Sequence, residues 1–377
     1  MKFSIQIPKP REELLQEFRP LPKSEARESK KLWLDKNECI DPEYIELLKT
    51  ILAKISPCAF YAYPDCFALY EKLANYLQIE TEELIIAAGS DGVIRAVYET
   101  FIKPGDVIVY PEPTFWMYSL YAKIYGAKAK IIDYEASQNG PCLAKEKLLQ
   151  AIKTEKPRLV CLPNPGSPTG TIFSLAELQE IIEAAALVKT VIIIDEAYYP
   201  FYSQTVLSWI NKYTHLVITR SFSKAWGLAG VRVGYGVAGK ELMRELYKVR
   251  PRYEIGSLSA AFIENALDYA QEMKQSVARL NNGKKFFVEE MRKLGFQALD
   301  TYGNFLLVKF EEQAEKVHYA LKNRVYYQQD FNHPALKGYS RFTTTTKELF
   351  LPIVEEISKI VKFHNQCVST QTTEALE

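Results

Sequence analysis

Residues 191–198 read VIIIDEAY and residues 215–232 read HLVITRSFSKAWGLAGVR, and these two stretches decide the fold. The apolar, β-branched run at 191–194 has the length of a buried parallel strand, and Asp195 stands where that strand ends. In the second stretch, a strand at 215–219 is predicted to run into a turn rich in serine and glycine. Because Lys224 lies in that turn, we expect its amine to face a cleft at the edge of the sheet.

The residue types around Lys224 match the three reactive handles of pyridoxal 5'-phosphate (PLP). A lysine amine held in a cleft forms an imine with an aldehyde. The carboxylate of Asp195, at the end of a buried strand, needs a cationic partner such as a protonated pyridine nitrogen. Ser221, Ser223 and Arg232 offer hydroxyls and a guanidinium suited to a phosphate dianion. Each residue type alone is common on surfaces and in turns, so the prediction depends on their order along the chain.

That order resembles the class I and II aminotransferases of fold type I. In this family, Asp-x-x-Tyr is followed by Ser-x-Ser-Lys and by an arginine eight residues after the lysine, which Asp195, Tyr198, Ser221, Ser223, Lys224 and Arg232 match. Residues 194–198 and 223–232 look most like the histidinol-phosphate aminotransferase group. The resemblance implies a PLP enzyme that moves an amino group between an amino acid, or histidinol phosphate, and a 2-oxo acid. It also implies that Lys224, Asp195 and Tyr198 are the catalytic residues.

Further motifs extend the resemblance over most of the chain. Asn37 lies in Leu-Asp-Lys-Asn-Glu, similar to an N-terminal motif of the family, which implies a role in substrate binding. Tyr63 lies in Tyr-Pro-Asp, which implies a homodimer in which this tyrosine reaches the cofactor phosphate of the neighbouring subunit. Ser90 and Asp91 stand at the predicted start of a helix, where unpaired backbone N–H groups bind anions. Phe115, in Pro-Thr-Phe, is the implied residue that stacks on the pyridine ring.

Two departures from the family pattern leave roles open. The family has an asparagine before Pro-Thr-Gly that bonds the cofactor's phenolic oxygen, whereas this chain has Ser167 there, so the role falls to Asn164 or to Ser167. Near the C-terminus, the family has Val-Arg on a strand where residues 326–329 read YYQQ. Arg341 still resembles the arginine that binds the substrate α-carboxylate. One arginine that can bind an anionic group of the substrate is therefore kept and another is lost. This leaves open whether histidinol phosphate is a substrate.

Composition argues against several other function classes. A formal net charge of +1 gives no electrostatic reason to expect nucleic-acid binding. No apolar stretch approaches the ~18 residues of a membrane span, and the N-terminus lacks a signal-peptide core, so we expect a cytoplasmic protein without membrane contact. The six cysteines and four histidines lack ligand spacing, which predicts neither a disulfide framework nor a metal site. The expected partners are small-molecule amino acid and 2-oxo acid substrates.

Short apolar runs alternate with helical patterns from about residue 63 to residue 250, which predicts an α/β fold with a mainly parallel sheet covered on both faces. The resemblance implies seven strands in this sheet. After Pro251, a helical stretch at 257–294 and later short strands predict a smaller α+β domain, closed by a helix from 347 to about 363. The predicted divisions are an N-terminal segment contributing to the small domain (1–48), a large PLP-binding domain (49–255), a small C-terminal domain (256–365) and a tail (366–377).

Two other functions compete with transamination. The same residues can serve a decarboxylase of the threonine-phosphate decarboxylase type, and the missing second arginine leaves that alternative open. A non-catalytic PLP-binding module is the other alternative. A binding module has no need to keep Lys224, Asp195 and Arg232 together, so an enzyme is favoured.

Overall fold

The structure is a computed structural model, and it describes residues 9–14 and 27–374. The predicted segments 1–48 and 366–377 therefore lie partly outside the described residues. In the described ranges, the helices are α1 (Pro42–Ala53), α2 (Cys58–Tyr61), α3 (Phe67–Leu77), α4 (Ser90–Phe101), α5 (Met117–Ile124), α6 (Lys145–Glu155), α7 (Leu175–Leu187), α8 (Lys240–Tyr247), α9 (Ser257–Ala266), α10 (Ala270–Lys293), α11 (Ala314–Leu321) and α12 (Lys347–Glu374). The strands there are β1 (Leu32–Trp33), β2 (Leu84–Ala87), β3 (Val107–Glu112), β4 (Lys128–Asp133), β5 (Glu135–Ser137), β6 (Gly140–Cys142), β7 (Leu159–Pro163), β8 (Val191–Asp195), β9 (Leu216–Ser221), β10 (Gly234–Ala238), β11 (Gln297–Asp300), β12 (Phe305–Lys309), β13 (Val325–Tyr326) and β14 (Tyr339–Thr343).

A seven-stranded sheet forms the centre of the molecule, with the strand order β2-β10-β9-β8-β7-β3-β4. Strands β9, β8, β7, β3 and β4 run parallel to one another, whereas β10 is antiparallel to both of its neighbours. Alternate residues of the central strands pack into separate apolar cores, because successive side chains of a strand point to opposite faces. Ile192 and Ile194 enter one core and Ile193 enters the other, so helices cover both faces of this sheet. The predicted fold class is confirmed.

A second, antiparallel sheet of order β11-β12-β14 packs against α10 and α12. The segment before α1 joins this part of the molecule, because β1 pairs in parallel with β13 and the Thr343 amide donates to the Leu34 carbonyl at 2.9 Å. This connection brings residues 35–38 to the mouth of the central sheet. The predicted domain divisions stay a prediction.

Several predicted elements form with small changes of boundary. Helix α7 begins with a capping box, since the Ser174 hydroxyl accepts from the Glu177 amide and the Glu177 carboxylate accepts from the Ser174 amide. The helical stretch predicted at 257–294 is two helices, α9 and α10, separated by a short 3₁₀ turn at Leu267–Tyr269. The last helix continues to Glu374 and not to about residue 363, so part of the expected tail is helical. In the described chain, no helix combines the length and the apolar character needed to cross a bilayer.

Candidate active site

A cavity of about 650 Å³ opens at the carboxyl ends of β8 and β9. Ligands bind at this edge in open α/β sheets, because the loops that follow the strands converge there. Of the predicted site residues, only Asn164 and Tyr63 do not line the cavity. Those that do are Asn37, Ser90, Asp91, Phe115, Asp195, Tyr198, Ser221, Ser223, Lys224, Arg232 and Arg341.

Asp195 lies on the cavity floor and is 5% exposed. Its Oδ1 accepts from the Thr219 hydroxyl at 2.8 Å and from the Ala197 amide at 3.2 Å. Its Oδ2 accepts from the Tyr118 hydroxyl at 2.9 Å. Burial raises the pKa of the Asp195 carboxyl, and these three hydrogen bonds oppose the rise. In the described residues no lysine or arginine forms an ion pair with Asp195, so the carboxylate is suited to a cation that comes from a ligand.

Lys224 faces the same cavity from the turn that follows β9. Its Nζ donates to the backbone carbonyls of Lys36 and Asn37, each at 3.1 Å. Burial and then the positive charges of Arg341 and Arg232 lower the pKa of Lys224 to about 8, while the Glu38 carboxylate opposes the shift. An amine with this pKa is partly neutral near pH 7, as a nucleophile or a proton-transferring base must be.

The start of α4 and Arg232 lie next to each other in the lining of the cavity, and we call this part of it the anion end. The N-cap of α4 is Gly89, with φ of 81°, and a Cβ there would lie 2.6 Å from Nη2 of Arg232. Arg232 Nη1 donates to the Ser223 hydroxyl at 3.2 Å, and the Ser221 hydroxyl accepts from the Ser223 amide at 3.1 Å. A helix N-terminus, two hydroxyls and a guanidinium thus converge within one concave site that suits an anion.

Tyr198 and its neighbours lie on the wall nearest Lys224. The Tyr198 hydroxyl accepts from Nδ2 of Asn37 at 3.0 Å, and Ser167 lines the cavity close to it. Asn164 does not reach this wall, because its Oδ1 accepts from the Phe173 amide at 2.7 Å and its Nδ2 donates to the Phe173 carbonyl at 3.3 Å. Of the two alternatives left open by the sequence, the cavity therefore holds Ser167, and the placement of Asn164 in the site needs correction.

Arg341 stands across the cavity from Arg232. Its Nη2 donates to the Asp35 carbonyl at 2.9 Å, whereas its Nε is buried without a hydrogen-bond partner in the described residues. The guanidinium lies 5.8 Å from the ring centroid of Phe331, which also lines the cavity. Burial of the Arg341 guanidinium is costly without a counter-charge, so its place in the cavity lining favours an anionic ligand there.

Tyr63 lies outside the cavity, on the surface. It is 80% exposed and stacks on Tyr253 with ring centroids 4.7 Å apart and ring planes 8° from parallel. Both tyrosines line a neighbouring depression of about 420 Å³ that also contacts Arg232. Tyr63 is therefore beside the anion end of the cavity without entering it in a single chain.

Some residues of the site were not predicted. Tyr118, the second residue of α5, lies three positions after Phe115, whose carbonyl accepts from the Tyr118 amide at 3.1 Å, and Thr219 lies two residues before Ser221 on the same strand. The helical spacing of i and i+3 and the strand spacing of i and i+2 each place two side chains on one face, which was the available signal. Three further residues complete the wall around Arg341: Glu38, Gln328 and Phe331.

The donor set of the cavity fits PLP. The buried Asp195 carboxylate without a protein cation suits the ring nitrogen, and the Lys224 amine with its lowered pKa suits the aldehyde. The anion end around Arg232 suits the phosphate. Phe115 lines the cavity and meets Tyr118 edge to face at 5.8 Å, which leaves its ring face suited to stacking.

Comparison with known proteins gives concordant results. Residues 29–357 match the family described as aminotransferase class I and II. The histidinol-phosphate aminotransferase of Caldanaerobacter subterraneus subsp. tengcongensis is 33% identical over 80% of this chain and 85% of that protein. The enzyme of the same name from Ruminiclostridium cellulolyticum is 29% identical over 90% of this chain and 95% of that protein. The crystal structure of the Sinorhizobium meliloti histidinol-phosphate aminotransferase in complex with PLP is similar with a TM-score of 0.74, at 18% identity over 88% of this chain and 90% of that chain.

Proposed function

Since the chain belongs to the class I and II aminotransferases, we propose that Lys224, Asp195 and Arg341 carry out its amino-group transfer. The protein is a PLP-dependent aminotransferase whose substrates are small molecules, namely amino acids and 2-oxo acids. One observation supports these roles: the buried carboxylate of Asp195, the amine of Lys224 with its lowered pKa and the guanidinium of Arg341 all line one cavity.

In this proposal the side chains divide the work of holding the cofactor. PLP supplies an aldehyde carbon for amine exchange and a ring that withdraws the electrons left when the substrate Cα loses its proton. Asp195 holds the proton on the ring nitrogen, because a buried carboxylate stabilises a nearby cation. Tyr198 and Ser167 bind the phenolic oxygen. The α4 N-terminus, Ser221, Ser223 and Arg232 bind the phosphate.

Lys224 has two tasks in succession. Its amine would hold PLP through the cofactor's aldehyde until a substrate amine binds. Its Nζ would then hold the proton that leaves the substrate Cα and return it during transfer of the amino group. The lowered pKa, about 8, favours both tasks because it raises the neutral fraction of the amine.

Arg341 fixes the substrate by its α-carboxylate. A planar guanidinium can bind a carboxylate through two parallel hydrogen bonds, which sets which bond of Cα stands perpendicular to the ring. Gln328 lies beside it, on a segment paired with Arg341, where the family resemblance implies an arginine. An amide gives hydrogen bonds but no charge. We infer that the preferred substrate carries an α-carboxylate and a neutral side chain that packs against Phe331, and is not a phosphate ester.

The proposed dimer rests on a surface rich in aromatic rings. Tyr63 is exposed on this surface together with three more aromatic side chains: Phe60, Tyr61 and Phe67. Large exposed apolar patches mark association sites. A second copy of the chain that covers this surface brings its Tyr63 towards the anion end of its partner's cavity.

A cytoplasmic location is the remaining part of the proposal. Cys58 and Cys142 are exposed free thiols, and no disulfide is present among the described cysteines. Free thiols persist in reducing compartments and are oxidised outside them. Fractionation of the source cells tests this location. Recovery of the protein in a secreted fraction would contradict it.

Lys224→Ala tests the function. In the wild-type protein, an amino-acid panel should give 2-oxo acid and the pyridoxamine form of the cofactor, and borohydride should fix the cofactor to Lys224, as peptide mass shows. The variant should bind PLP reversibly, give no fixed adduct and lose transamination by several orders of magnitude. Lys274→Ala, which removes an exposed lysine of α10, is the matched control. Normal turnover by Lys224→Ala would contradict the role assigned to Lys224. Release of carbon dioxide from the amino acid by the wild-type protein would indicate decarboxylation.

A further inference from the structure

The Asp195 carboxylate is held by donors from two other elements of the fold. Thr219 lies directly opposite Asp195 in the β8–β9 register and is fully buried, as is Tyr118 on α5. Together with the Ala197 amide, their hydroxyls occupy three acceptor positions, at 2.8, 2.9 and 3.2 Å. An ionised carboxylate has about four such positions, so one is left for the cavity side.

The hydroxyls of Thr219 and Tyr118 stabilise the ionised Asp195 carboxylate where no positively charged side chain is paired with it among the described residues. Burial of a carboxylate without a cation favours its protonated form, and a neutral carboxyl cannot stabilise a protonated ring nitrogen. Hydroxyl donors that point at the oxygens favour the charged form instead. Both donors are fixed by packing, Thr219 by its strand and Tyr118 by the edge-to-face contact of its ring with Phe115 at 5.8 Å.

Asp195 is the group in this neighbourhood whose ionisation the two hydroxyls influence directly, because both donate to its carboxylate oxygens. The titratable groups that face it are Tyr118 from α5, Cys161 from β7, and Glu196 and Tyr198 from the segment after β8. Burial raises the pKa of Cys161 to about 12 and raises the pKa of both tyrosines, so these three groups stay neutral. Glu196 is paired with Arg220 at 2.8 Å, with both side chains buried.

We propose that Tyr118 and Thr219 are positioning residues that keep Asp195 ionised and thereby set the lower pH limit at which the apoprotein binds PLP. This inference rests on the proposed function, because it takes Asp195 as the partner of the ring nitrogen. Loss of either hydroxyl leaves the carboxylate with one donor fewer. Asp195 then takes up a proton at higher pH, and the affinity for PLP begins to fall at higher pH as the solution is acidified.

The experiment measures the dissociation constant of PLP from apoprotein by equilibrium dialysis from about pH 5 to about pH 8. Tyr118→Phe and Thr219→Val should each move the acid limb of the affinity profile upwards by about one pH unit, the scale of a single strong hydrogen bond to a carboxylate. Tyr110→Phe removes a buried hydroxyl on β3 whose ring lies 6.3 Å from that of Tyr118, and should leave the profile unchanged. Thr219→Ser keeps the donor and should restore the wild-type profile. The titration of free PLP is common to all the proteins and cancels in the comparison.

Two outcomes would overturn the inference, and a third would overturn the proposed function on which it rests. Profiles of Tyr118→Phe and Thr219→Val that superimpose on the wild type would overturn the inference. A loss of affinity that is equal at every pH would also overturn it, because that result reports packing and not ionisation. If Asp195→Asn binds PLP with the wild-type pH dependence, the proposed role of Asp195 itself is wrong. Should Tyr118→Phe fail to fold, as judged by circular dichroism, the Thr219→Val and Thr219→Ser pair decides.

Discussion

Arg341 is the side chain that we expect to set the class of substrate. Its Nε has no partner among the described residues, and its Nη2 is held by the Asp35 carbonyl at 2.9 Å. We predict that Arg341→Lys raises the KM of an amino acid such as phenylalanine by about 30-fold, roughly 2 kcal/mol, because an ammonium cannot reproduce two parallel hydrogen bonds. The absorption spectrum of the cofactor should not change, because we expect the Arg341 guanidinium to contact the substrate and not PLP.

Histidinol phosphate provides the discriminating comparison for Arg341. It carries a phosphorylated hydroxymethyl group where an amino acid has its carboxylate, so only its phosphate can engage a guanidinium. A larger effect of Arg341→Lys on histidinol phosphate than on phenylalanine would assign the arginine to a phosphate and contradict the carboxylate role. Arg244→Lys, an exposed change on α8, serves as the control.

The positions of Lys224 and Asp195 in the cavity were predictable from the sequence, whereas those of their neighbours were less so. Lys224 and Asp195 occur in a fixed order around two strands, so the pattern locates both on one edge of the sheet. The choice between Asn164 and Ser167 depends on how one loop folds, and loop geometry has no comparable periodicity. Tyr118 was missed because a buried tyrosine is usually read as part of the core.

At the scale of elements, β10 is a strand of the central sheet that its own residues do not predict. Its sequence, GYGVA, has two glycines, which are disfavoured in strands and do not produce an apolar alternation. Gly234 is needed at this position because a Cβ would lie 2.2 Å from the Ser90 amide nitrogen and 2.4 Å from the Gly89 carbonyl carbon. The close approach of two backbones, which places the start of α4 in the cavity, is a tertiary constraint that a single sequence does not display.

We predict that Gly234→Ala weakens both the fold and cofactor binding. The added methyl group meets backbone and not flexible side-chain atoms, so α4 must shift, at a cost of about 2 kcal/mol in the free energy of unfolding. Since the start of α4 is the proposed phosphate site, the affinity for PLP should fall by at least about tenfold. Denaturant titration and equilibrium dialysis measure the two effects.

Gly230→Ala is the matched control for this prediction. A Cβ at Gly230 has no heavy atom within 4 Å, although the residue lies only four positions before Gly234. It should leave both the stability and the affinity near the wild-type values. If Gly234→Ala behaves like Gly230→Ala, the close approach of β10 to α4 is not a constraint on the phosphate site.

At the scale of the whole molecule, two sheets and their connections explain why distant segments meet in one cavity. The central sheet presents Asp195 and Lys224, and the antiparallel sheet presents Arg341 from β14. The segment at 34–37 links them, because the Leu34 carbonyl and the Asn37 amide both bond to Thr343, the latter at 2.9 Å. The alternation of strands and helices made the central sheet predictable, whereas the contact of the N-terminal segment with β14 forms only in the folded chain and has no periodic signal in the sequence.

The last prediction concerns a site shared between two copies. We expect Tyr63→Phe and Lys224→Ala, carried on differently tagged chains and purified as a mixed dimer, to restore activity. If Tyr63 acts on the partner's cofactor, the mixed dimer has one site with both residues intact, so its activity should be about half that of the wild type. If Tyr63 acts within its own chain, no site is intact, and activity should be about half that of the Tyr63→Phe dimer. Tyr61→Phe, on the same aromatic surface, should be active by itself, because we assign its hydroxyl no contact with PLP. A fully active monomer by sedimentation would contradict the shared site.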